Sequence, residues 1–430
     1  MAKDLDAAGA ELRTAYDAVR ARTEGFAAPL SAEDMAAQTM ADVSPTKWHL
    51  AHTTWFWETF LLKPRAAGYA EFDPRFNYLF NSYYETIGDR HARPSRGQLT
   101  RPGVAHVLAY RAHVDGAMRQ WLDQASPAEI ADTAEIMRVG LAHEEQHQEL
   151  LLTDIKHVLA MNPFPEAAYA PPDTPCPHAA DAPDQDWVGF EAGLCEIGAA
   201  GEHFHFDHEG PRHRIWIEAF ELSARPVTNA DYLAFIEDGG YRTPSLWLSE
   251  GWDAIQCEGR RAPIYWRARD GEWREHTLHG ERPLDPDAPV SHIDFYEAIA
   301  FAEWTGYRLP WEFEWERAAV EAAEAGAIEA ADWAAPGGFL HPCAPRRQGR
   351  AAGLFGEVWE WTRSDYAPYP GYRAPDGAIG EYNGKFMCGQ YVLRGGSRLT
   401  SPDHMRTTYR NFFPPDARWQ MTGLRLARDV

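Results

Sequence analysis

The residues best suited to chemistry in this chain are His143 and His147, in the run His-Glu-Glu-Gln-His-Gln-Glu at 143–149. The surrounding stretch 141–161 contains no Gly or Pro and continues with apolar residues, so it predicts a helix. Residues four apart share a helix face, which points both imidazoles the same way, one turn apart. Two neutral imidazoles so arranged can bind one divalent metal. The pattern predicts a metal site that needs further ligands from elsewhere in the chain.

Other interpretations of the same run remain open. Histidines four apart on a polar helix face are often only solvated surface. Because Glu144 follows His143 directly, the run also fits a zinc hydrolase in which Glu144 is the general base. A further histidine cluster, at 203, 205, 208 and 213, offers a possible second metal site.

Length and composition limit the classes of protein to consider. A chain of 430 residues with 45% hydrophobic and 24% charged residues is globular and long enough for two or three domains. The net charge of −23 argues against a nucleic-acid partner, which would need a basic surface. The chain has no signal peptide and no apolar run of membrane-spanning length, so we expect a cytoplasmic protein. Its five scattered cysteines predict neither a disulfide framework nor a cysteine zinc site.

The elements that must position the histidines fall in residues 1–165, which predict a four-helix bundle. The pattern gives helices at 7–22, 46–62 and 104–123, and a last one that starts near Ser126-Pro127. The long polar and aromatic loop 69–102 is of a length that is usually functional. Residues 166–188 are rich in Pro, Ala and Asp and predict a linker. Residues 189–430 predict a mixed α+β domain, with helices at 229–238 and 296–305.

The C-terminal part resembles the formylglycine-generating-enzyme-like family, whose fold is related to C-type lectins. Five segments carry the resemblance in order: 225–229, 306–316, 356–362, 393–397 and 423–425. The oxidase members of that family use a cysteine pair. Because no cysteine follows Arg394 here, oxidase activity is not expected.

The N-terminal part resembles the DinB-like helical bundles, whose members hold a metal with three histidines. The resemblance implies that the third histidine comes from the second helix, where His49 and His52 both compete. Periodicity does not separate them, since residues three apart share a face. The resemblance favours His52, which precedes a Trp-Phe pair, and makes His49 a supporting histidine.

A DinB-like bundle fused to such a domain is the architecture of the ergothioneine sulfoxide synthases (EgtB), and the resemblance covers nearly the whole chain. Further matching segments are 77–85, 90–97 and 409–414. The resemblance implies ferrous iron held by His52, His143 and His147, with O2 as co-substrate. It implies that cysteine sulfur joins C2 of the imidazole of hercynine (N-α-trimethylhistidine) and is oxidised to a sulfoxide. The tandem tyrosines at 83–84 resemble the bacterial subgroup that uses free cysteine rather than γ-glutamylcysteine.

Residue roles follow from the same resemblance. Gln146 precedes the last ligand and is expected to hydrogen-bond the substrate imidazole, about 100° around the helix from His147. Tyr83 or Tyr84 is expected to donate a proton to reduced oxygen, steering the reaction away from simple thiol oxidation. The sequence does not choose between these two tyrosines.

The charged ends of the substrates suggest further candidates. Arg90 and Arg93 are candidates for the cysteine carboxylate, because a guanidinium matches a carboxylate bidentately. The quaternary ammonium of hercynine favours an aromatic box, for which Phe412, Phe413 and Trp419 are candidates, with Asn411 as a polar anchor.

Rival functions remain. Arg398 follows Ser397 where close relatives are expected to have a small residue or Cys, which suggests a different donor, as in selenoneine synthases that join a selenosugar to hercynine. Ovothiol-type synthases attack another imidazole carbon. From other classes, a DinB-like zinc thiol transferase would use the same histidines, and a lectin-like binding module would need no metal.

Overall fold

The computed structural model describes residues 2–163, 166–172, 186–201, 203–328, 331, 333–345, 347–348 and 350–430. The chain forms two compact units. One comprises Met1–Phe164 with Asp376–Tyr382, and the other comprises Pro165–Pro375 with Asn383–Val430. Most of the predicted linker 166–188 lies outside the described residues.

The first unit is helical, as the sequence predicts. Its α-helices are α1 (Ala2–Ala27), α2 (Thr46–Trp57), α3 (Lys63–Arg65), α4 (Phe76–Phe80), α5 (Val104–Gln124) and α6 (Pro127–Ala160). A π-helical turn, Glu58–Leu62, joins α2 to α3, and 3₁₀ turns lie at Asp34–Ala36 and Arg93–Gln98. The predicted loop 69–102 therefore contains short helical pieces at Phe76–Phe80 and Arg93–Gln98.

Helix α6 begins where the sequence signals it. The Ser126 hydroxyl accepts from the backbone N–H of Glu129, and the Glu129 carboxylate accepts from the backbone N–H of Ser126, while Pro127 opens the first turn. Farther along, Gly140 lets α6 approach α2, because a Cβ there would lie 2.5 Å from the Trp57 ring. This close approach brings the buried faces of the two helices together.

The predicted helix 46–62 changes its pitch after Trp57. Glu58, in the π-turn, is buried, and its carboxylate accepts hydrogen bonds from the hydroxyls of Tyr69 and Tyr110, both at 2.6 Å. The backbone N–H of Phe72 donates to it at 3.1 Å. A buried carboxylate that accepts from three donors thus lies where the regular helix ends.

The second unit is the mixed α+β domain that the sequence predicts. Its helices are α7 (Asn229–Glu237), α8 (Ser249–Glu258), α9 (Phe295–Thr305) and α10 (Glu312–Glu324). Its strands are β1 (Trp187–Phe190), β2 (Gly193–Ile197), β3 (His213–Ile217), β4 (Phe220–Ser223), β5 (Trp266–Arg269), β6 (Glu272–Thr277), β7 (Gly280–Pro283), β8 (Arg347–Gln348), β9 (Ala351–Ala352), β10 (Trp359–Asp365), β11 (Tyr391–Arg394), β12 (Asn411–Phe413), β13 (Thr422–Leu424) and β14 (Ala427–Asp429).

The strands form small sheets rather than one large one. Their orders are β1-β4-β14, β12-β11-β10-β13 and β5-β6-β7, with β2-β3 and β8-β9 as pairs. Strand β10 pairs antiparallel with β11, Glu360 opposite Arg394, and parallel with β13, Glu360 opposite Gly423. The fold class predicted from the sequence, a helical bundle followed by an α+β domain, is confirmed.

Helix α10 was not predicted from the sequence, and its buried charged residues explain why. Glu312, Glu314 and Glu316 are all buried in it, although buried helix positions usually hold apolar residues. Glu312 and Glu316 face the buried guanidinium of Arg394 at 3.1 and 2.8 Å. The buried face is therefore held partly by ion pairs, which hydrophobic periodicity does not detect.

Two further expectations can be compared with the structure. Cys195, Cys257 and Cys388 are free and Cys343 is disulfide-bonded, a single bond that the scattered cysteines did not predict. Within the described residues, no helix combines the length and the apolar character needed to cross a membrane.

Candidate metal centre

Three histidines of the first unit meet in its core. His52 comes from α2, and His143 and His147 come from successive turns of α6. One ring nitrogen of each lies within 4.8 Å of those of the other two, and all three side chains are buried. In the described part of the chain this is the one such group of His, Cys, Asp or Glu side chains, and the cluster at 203–213 forms no second one.

The spacing of the ring nitrogens fits a single ion. Nε2 of His52 lies 3.1 Å from Nε2 of His143. Two ligand atoms about 2.1 Å from one ion, at right angles, would be roughly 3 Å apart. The Nδ1–H of His52 donates to the carbonyl of Phe80 at 2.6 Å, which leaves the lone pair on its Nε2. The donor set therefore fits a metal bound by imidazole nitrogens.

Burial keeps these imidazoles in the neutral form that a metal requires. Burial lowers the pKa of His143 to about 3, and the negative charge of Glu144 opposes this shift. Burial also lowers the pKa of His52 and of His147 well below the usual range, and the positive form of His143 would lower both further. At neutral pH all three rings carry a lone pair that can bind a metal.

His49 lies outside this group of three. Its Nδ1 is 2.9 Å from Nδ1 of His147, and its Nε2 is 3.0 Å from the carboxylate of Asp154. The structure thus separates the two histidines of α2 that periodicity left equivalent: His52 faces the cluster, and His49 faces the outer nitrogen of one cluster member.

The interpretation of Glu144 as the general base of a hydrolase is wrong. Its buried carboxylate accepts hydrogen bonds from Arg20 (3.0 Å), Arg111 (2.7 Å), Thr23 (2.8 Å) and Trp57 (3.1 Å). Burial opposes ionisation of Glu144, but Arg20 and Arg111 outweigh burial and hold its pKa far below the usual range. A carboxylate so paired has neither the basicity nor the free lone pairs for proton abstraction.

A segment remote in sequence adds a phenol to the cluster. Tyr382 clusters with the first unit, and its hydroxyl donates a hydrogen bond to Oε1 of Gln146, a residue 236 positions away. The Tyr382 ring lies 5.8 Å from the His143 ring and 6.1 Å from the Tyr83 ring, between centroids. Sequence reasoning missed Tyr382, and its only signal was the length of the connection between β10 and β11, about 25 residues.

The tandem tyrosines have different surroundings. Tyr84 is buried, with its ring 5.7 Å from that of Trp55 and 5.1 Å from that of Phe60. Tyr83 is half-buried and lies beside Tyr382. Burial raises the pKa of both phenols, so each keeps its proton at neutral pH.

The three arginines of the loop also differ. Arg90 is exposed and forms an ion pair with Glu85, and Arg93 is exposed as well. Arg96 is the buried one, with its guanidinium carbon 3.3 Å from the centroid of the Trp48 ring. The structure therefore does not bring Arg90 or Arg93 into the buried cluster of histidines.

The candidates for the hercynine ammonium lie in the second unit, in and after β12. The ring of Phe412 stacks on Tyr366 at 4.0 Å, and Phe413 lies 6.2 Å from Trp419. The side-chain oxygen of Asn411 accepts from the backbone N–H of Phe412 at 2.9 Å. Phe412 and Phe413 are half-buried, whereas Trp419 is buried, so the two phenylalanines present an aromatic surface in that unit.

Arg398 has partners inside the second unit. Its side chain is buried, its Nε donates to the carbonyl of Phe339 at 3.1 Å, and its Nη1 lies 3.7 Å from Glu357. Its charge therefore gives no reason to prefer a different donor substrate.

Comparison with known proteins identifies both parts of the chain. The DinB superfamily matches residues 15–151, and the sulfatase-modifying factor enzyme 1-like domain matches residues 174–337 and 348–430. The hercynine oxygenase of Mycolicibacterium thermoresistibile is 34% identical over 90% of this chain and 88% of its own length. Those of Mycobacterium tuberculosis and Mycolicibacterium smegmatis are 31% and 33% identical, each over 90% of this chain and 92% of its own length. With this agreement along both parts, the chain belongs to the hercynine oxygenase (EgtB) family.

Proposed function

We propose that this protein is a non-haem iron(II), O2-dependent sulfoxide synthase that joins cysteine sulfur to C2 of the hercynine imidazole. The observation that carries the proposal is the buried trio of neutral histidines in a chain of the hercynine oxygenase family. A structural zinc site normally closes its coordination with four protein ligands. Three imidazoles leave positions for substrates, which suits a ferrous centre.

The proposed reaction balances without a further reductant. One thiol S–H and one imidazole C–H are lost, a C–S bond and an S–O bond form, and the second oxygen atom leaves as water. The chemistry that ferrous iron supplies when bound is the four-electron reduction of O2 coupled to this oxidation.

The residues of the chain orient the substrates and hold protons. We assign Gln146, which accepts from the Tyr382 hydroxyl, to orient the hercynine imidazole. The hydroxyls of Tyr382 and Tyr83 hold the protons that reduced oxygen must take up. The aromatic contacts of Tyr84 with Trp55 and Phe60 favour a packing role for Tyr84.

The charged groups of the substrates require complementary partners. We assign Arg90 and Arg93 to the cysteine carboxylate, which would compete with Glu85 for Arg90. Phe412 and Phe413 offer ring faces to the quaternary ammonium, with Asn411 beside them.

The test begins with metal analysis of protein purified without air. Iron-loaded protein is then given hercynine and O2 with cysteine, γ-glutamylcysteine or a selenosugar, and histidine replaces hercynine in a parallel set. We expect mass spectrometry to detect the C2 sulfoxide with cysteine. Product from a selenosugar, or from histidine at another carbon, would favour a selenoneine-type or ovothiol-type synthase instead.

A zinc thiol transferase is the alternative from another class. Its prediction is zinc in the purified protein and thiol transfer without consumption of O2. No coupled product with any donor, in protein shown to hold iron, would refute the proposed function.

A further inference from the structure

Three buried side chains of the bundle form a line that ends on the proposed metal ligand His147. The carboxylate oxygen Oδ2 of Asp154 lies 3.0 Å from Nε2 of His49, and Nδ1 of His49 lies 2.9 Å from Nδ1 of His147. The backbone N–H of Ser44 donates to the same Asp154 oxygen at 2.7 Å. Asp154 lies on α6, two turns beyond His147, so both ends of the line are on one helix.

The direction of each hydrogen bond follows from the chemistry of its ends. An ionised carboxylate has only lone pairs, so Nε2 of His49 must carry the hydrogen in that contact. A neutral imidazole carries one ring hydrogen, which makes Nδ1 of His49 an acceptor. Nδ1 of His147 must therefore be the donor, and the lone pair of His147 is left on Nε2.

We propose that Asp154 and His49 are positioning residues that fix the tautomer and ring orientation of His147. This inference rests on the proposed metal site. It adds the hydrogen bonds that orient one ligand, His147, and keep the lone pair on its Nε2. A hydrogen bond from the outer nitrogen of a ligand histidine to a carboxylate raises its basicity, and losing such a partner typically costs 10–100-fold in metal affinity. Here His49 lies between the carboxylate and the ligand and carries this effect across two contacts.

The three proposed ligands differ in this respect. His52 donates through Nδ1 to the backbone carbonyl of Phe80, which no side-chain substitution removes. Nδ1 of His143 is buried and has no hydrogen-bond partner among the residues that the structure describes. His147 is the proposed ligand whose Nδ1 is connected through His49 to a charged side chain, that of Asp154. Mutation of these side chains can therefore change the tautomer and orientation of His147.

The most direct test needs no variant. Nitrogen-15 NMR of histidine-labelled, metal-free protein at neutral pH reports which ring nitrogen carries the hydrogen. We expect hydrogen on Nε2 of His49 and on Nδ1 of His147. Hydrogen on Nε2 of His147, or on both nitrogens of His49, would overturn the proposal.

Metal affinity gives a second readout that does not depend on catalysis. Co(II) is titrated without air against a competing chelator and followed by visible absorption. We expect His49→Leu, which cannot accept a hydrogen bond, to weaken Co(II) binding 10–100-fold. His49→Asn can present an oxygen near the former Nδ1, and we expect it to bind within about 3-fold of the original protein, a range set by one weak hydrogen bond.

His157→Asn is the matched control. His157 lies on the same helix, is buried, and bonds through Nδ1 to the Thr39 hydroxyl at 2.6 Å. We expect Co(II) affinity in this variant to be unchanged. Unchanged affinity in His49→Leu, or an equal loss in His157→Asn, would reject the positioning role. Because no substrate is present, neither outcome depends on whether the coupling reaction occurs.

Discussion

At the scale of single residues, the role of each polar side chain near the candidate metal centre depends on the hydrogen-bond partners that it already has. Glu144 lies between His143 and the rest of the helix motif, yet its oxygens are taken by Arg20 and Arg111. Gln146, two residues later, accepts instead from the hydroxyl of Tyr382. Neighbouring positions on one helix therefore serve the core and the candidate site separately.

Replacing Tyr382 by Phe tests the phenol nearest the cluster. The change removes one hydroxyl and keeps the ring, so we expect iron binding to persist. We expect less sulfoxide and more oxidised cysteine, because one proton donor for reduced oxygen is lost. The measurement is the ratio of the two products by mass spectrometry. Tyr84→Phe is the matched control, and an equal shift in that variant would contradict the assignment.

Replacing Glu144 by Gln tests the core role of that residue. The two guanidinium groups that it holds are each about 1% exposed, so removing the charge leaves buried cations undercompensated. We expect the free energy of unfolding to fall by about 3 kcal/mol in a urea titration of the metal-free protein. Glu135→Gln, at an exposed position of the same helix, should change it little. Equal stability of both variants would contradict the core role.

At the scale of elements, a short segment from late in the chain completes the first unit. Asp376–Tyr382 lies in sequence between β10 and β11, but it clusters with the helices. The Glu381 carboxylate holds it there, accepting from the backbone N–H groups of Glu85 and Thr86 at 2.9 and 3.0 Å and from the Thr86 hydroxyl. Glu381, the residue before Tyr382, thus anchors this segment to the loop that follows the tandem tyrosines.

Replacing Glu381 by Ala removes this anchor and leaves Tyr382 intact. We expect the product ratio to shift in the direction predicted for Tyr382→Phe, because the phenol is held less firmly. Limited proteolysis should cut within 376–382 faster than in the original protein. Glu381→Gln keeps an acceptor oxygen, so its product ratio and its cleavage rate should lie between those of Glu381→Ala and those of the original protein. Unchanged cleavage and unchanged products in Glu381→Ala would show that the anchor is not needed.

At the scale of the whole molecule, both units bury charged groups and satisfy them with partners. In the second unit, buried Glu209 accepts from Arg406, from the Thr408 hydroxyl at 2.7 Å and from the backbone N–H of Phe206 at 2.9 Å. Burial disfavours its ionisation, but Arg406 outweighs burial and lowers the pKa of Glu209 to about 2. Such a group links stability to pH.

The sign follows from the lowered pKa. The unfolded chain binds a proton at Glu209 near pH 4.5 and the folded chain only near pH 2, so the stabilisation is present above pH 4.5 and is lost as the pH falls through this window. We expect Glu209→Gln to lower the free energy of unfolding by about 3 kcal/mol at pH 7, and by less as the pH approaches 2. The measurement is urea unfolding at several pH values. Glu196→Gln, at an exposed ion pair, should show no such dependence.

Much of this protein follows from its sequence alone, because hydrophobic periodicity records which side of each element is buried. The spacing of His143 and His147 and the start of their helix at Ser126 needed no tertiary information. The order of helical and mixed regions was also predicted from local patterns, and the family matches agree with it.

Only the tertiary structure decided which atoms meet across the chain. His49 and His52 share a helix face, and packing alone turned one toward the cluster and the other toward Asp154. Likewise, no local pattern relates Tyr382 to Gln146, because a hydrogen bond across 236 residues depends on how distant segments pack. Periodicity encodes burial one element at a time, whereas a site is made by side chains that only the folded core brings together.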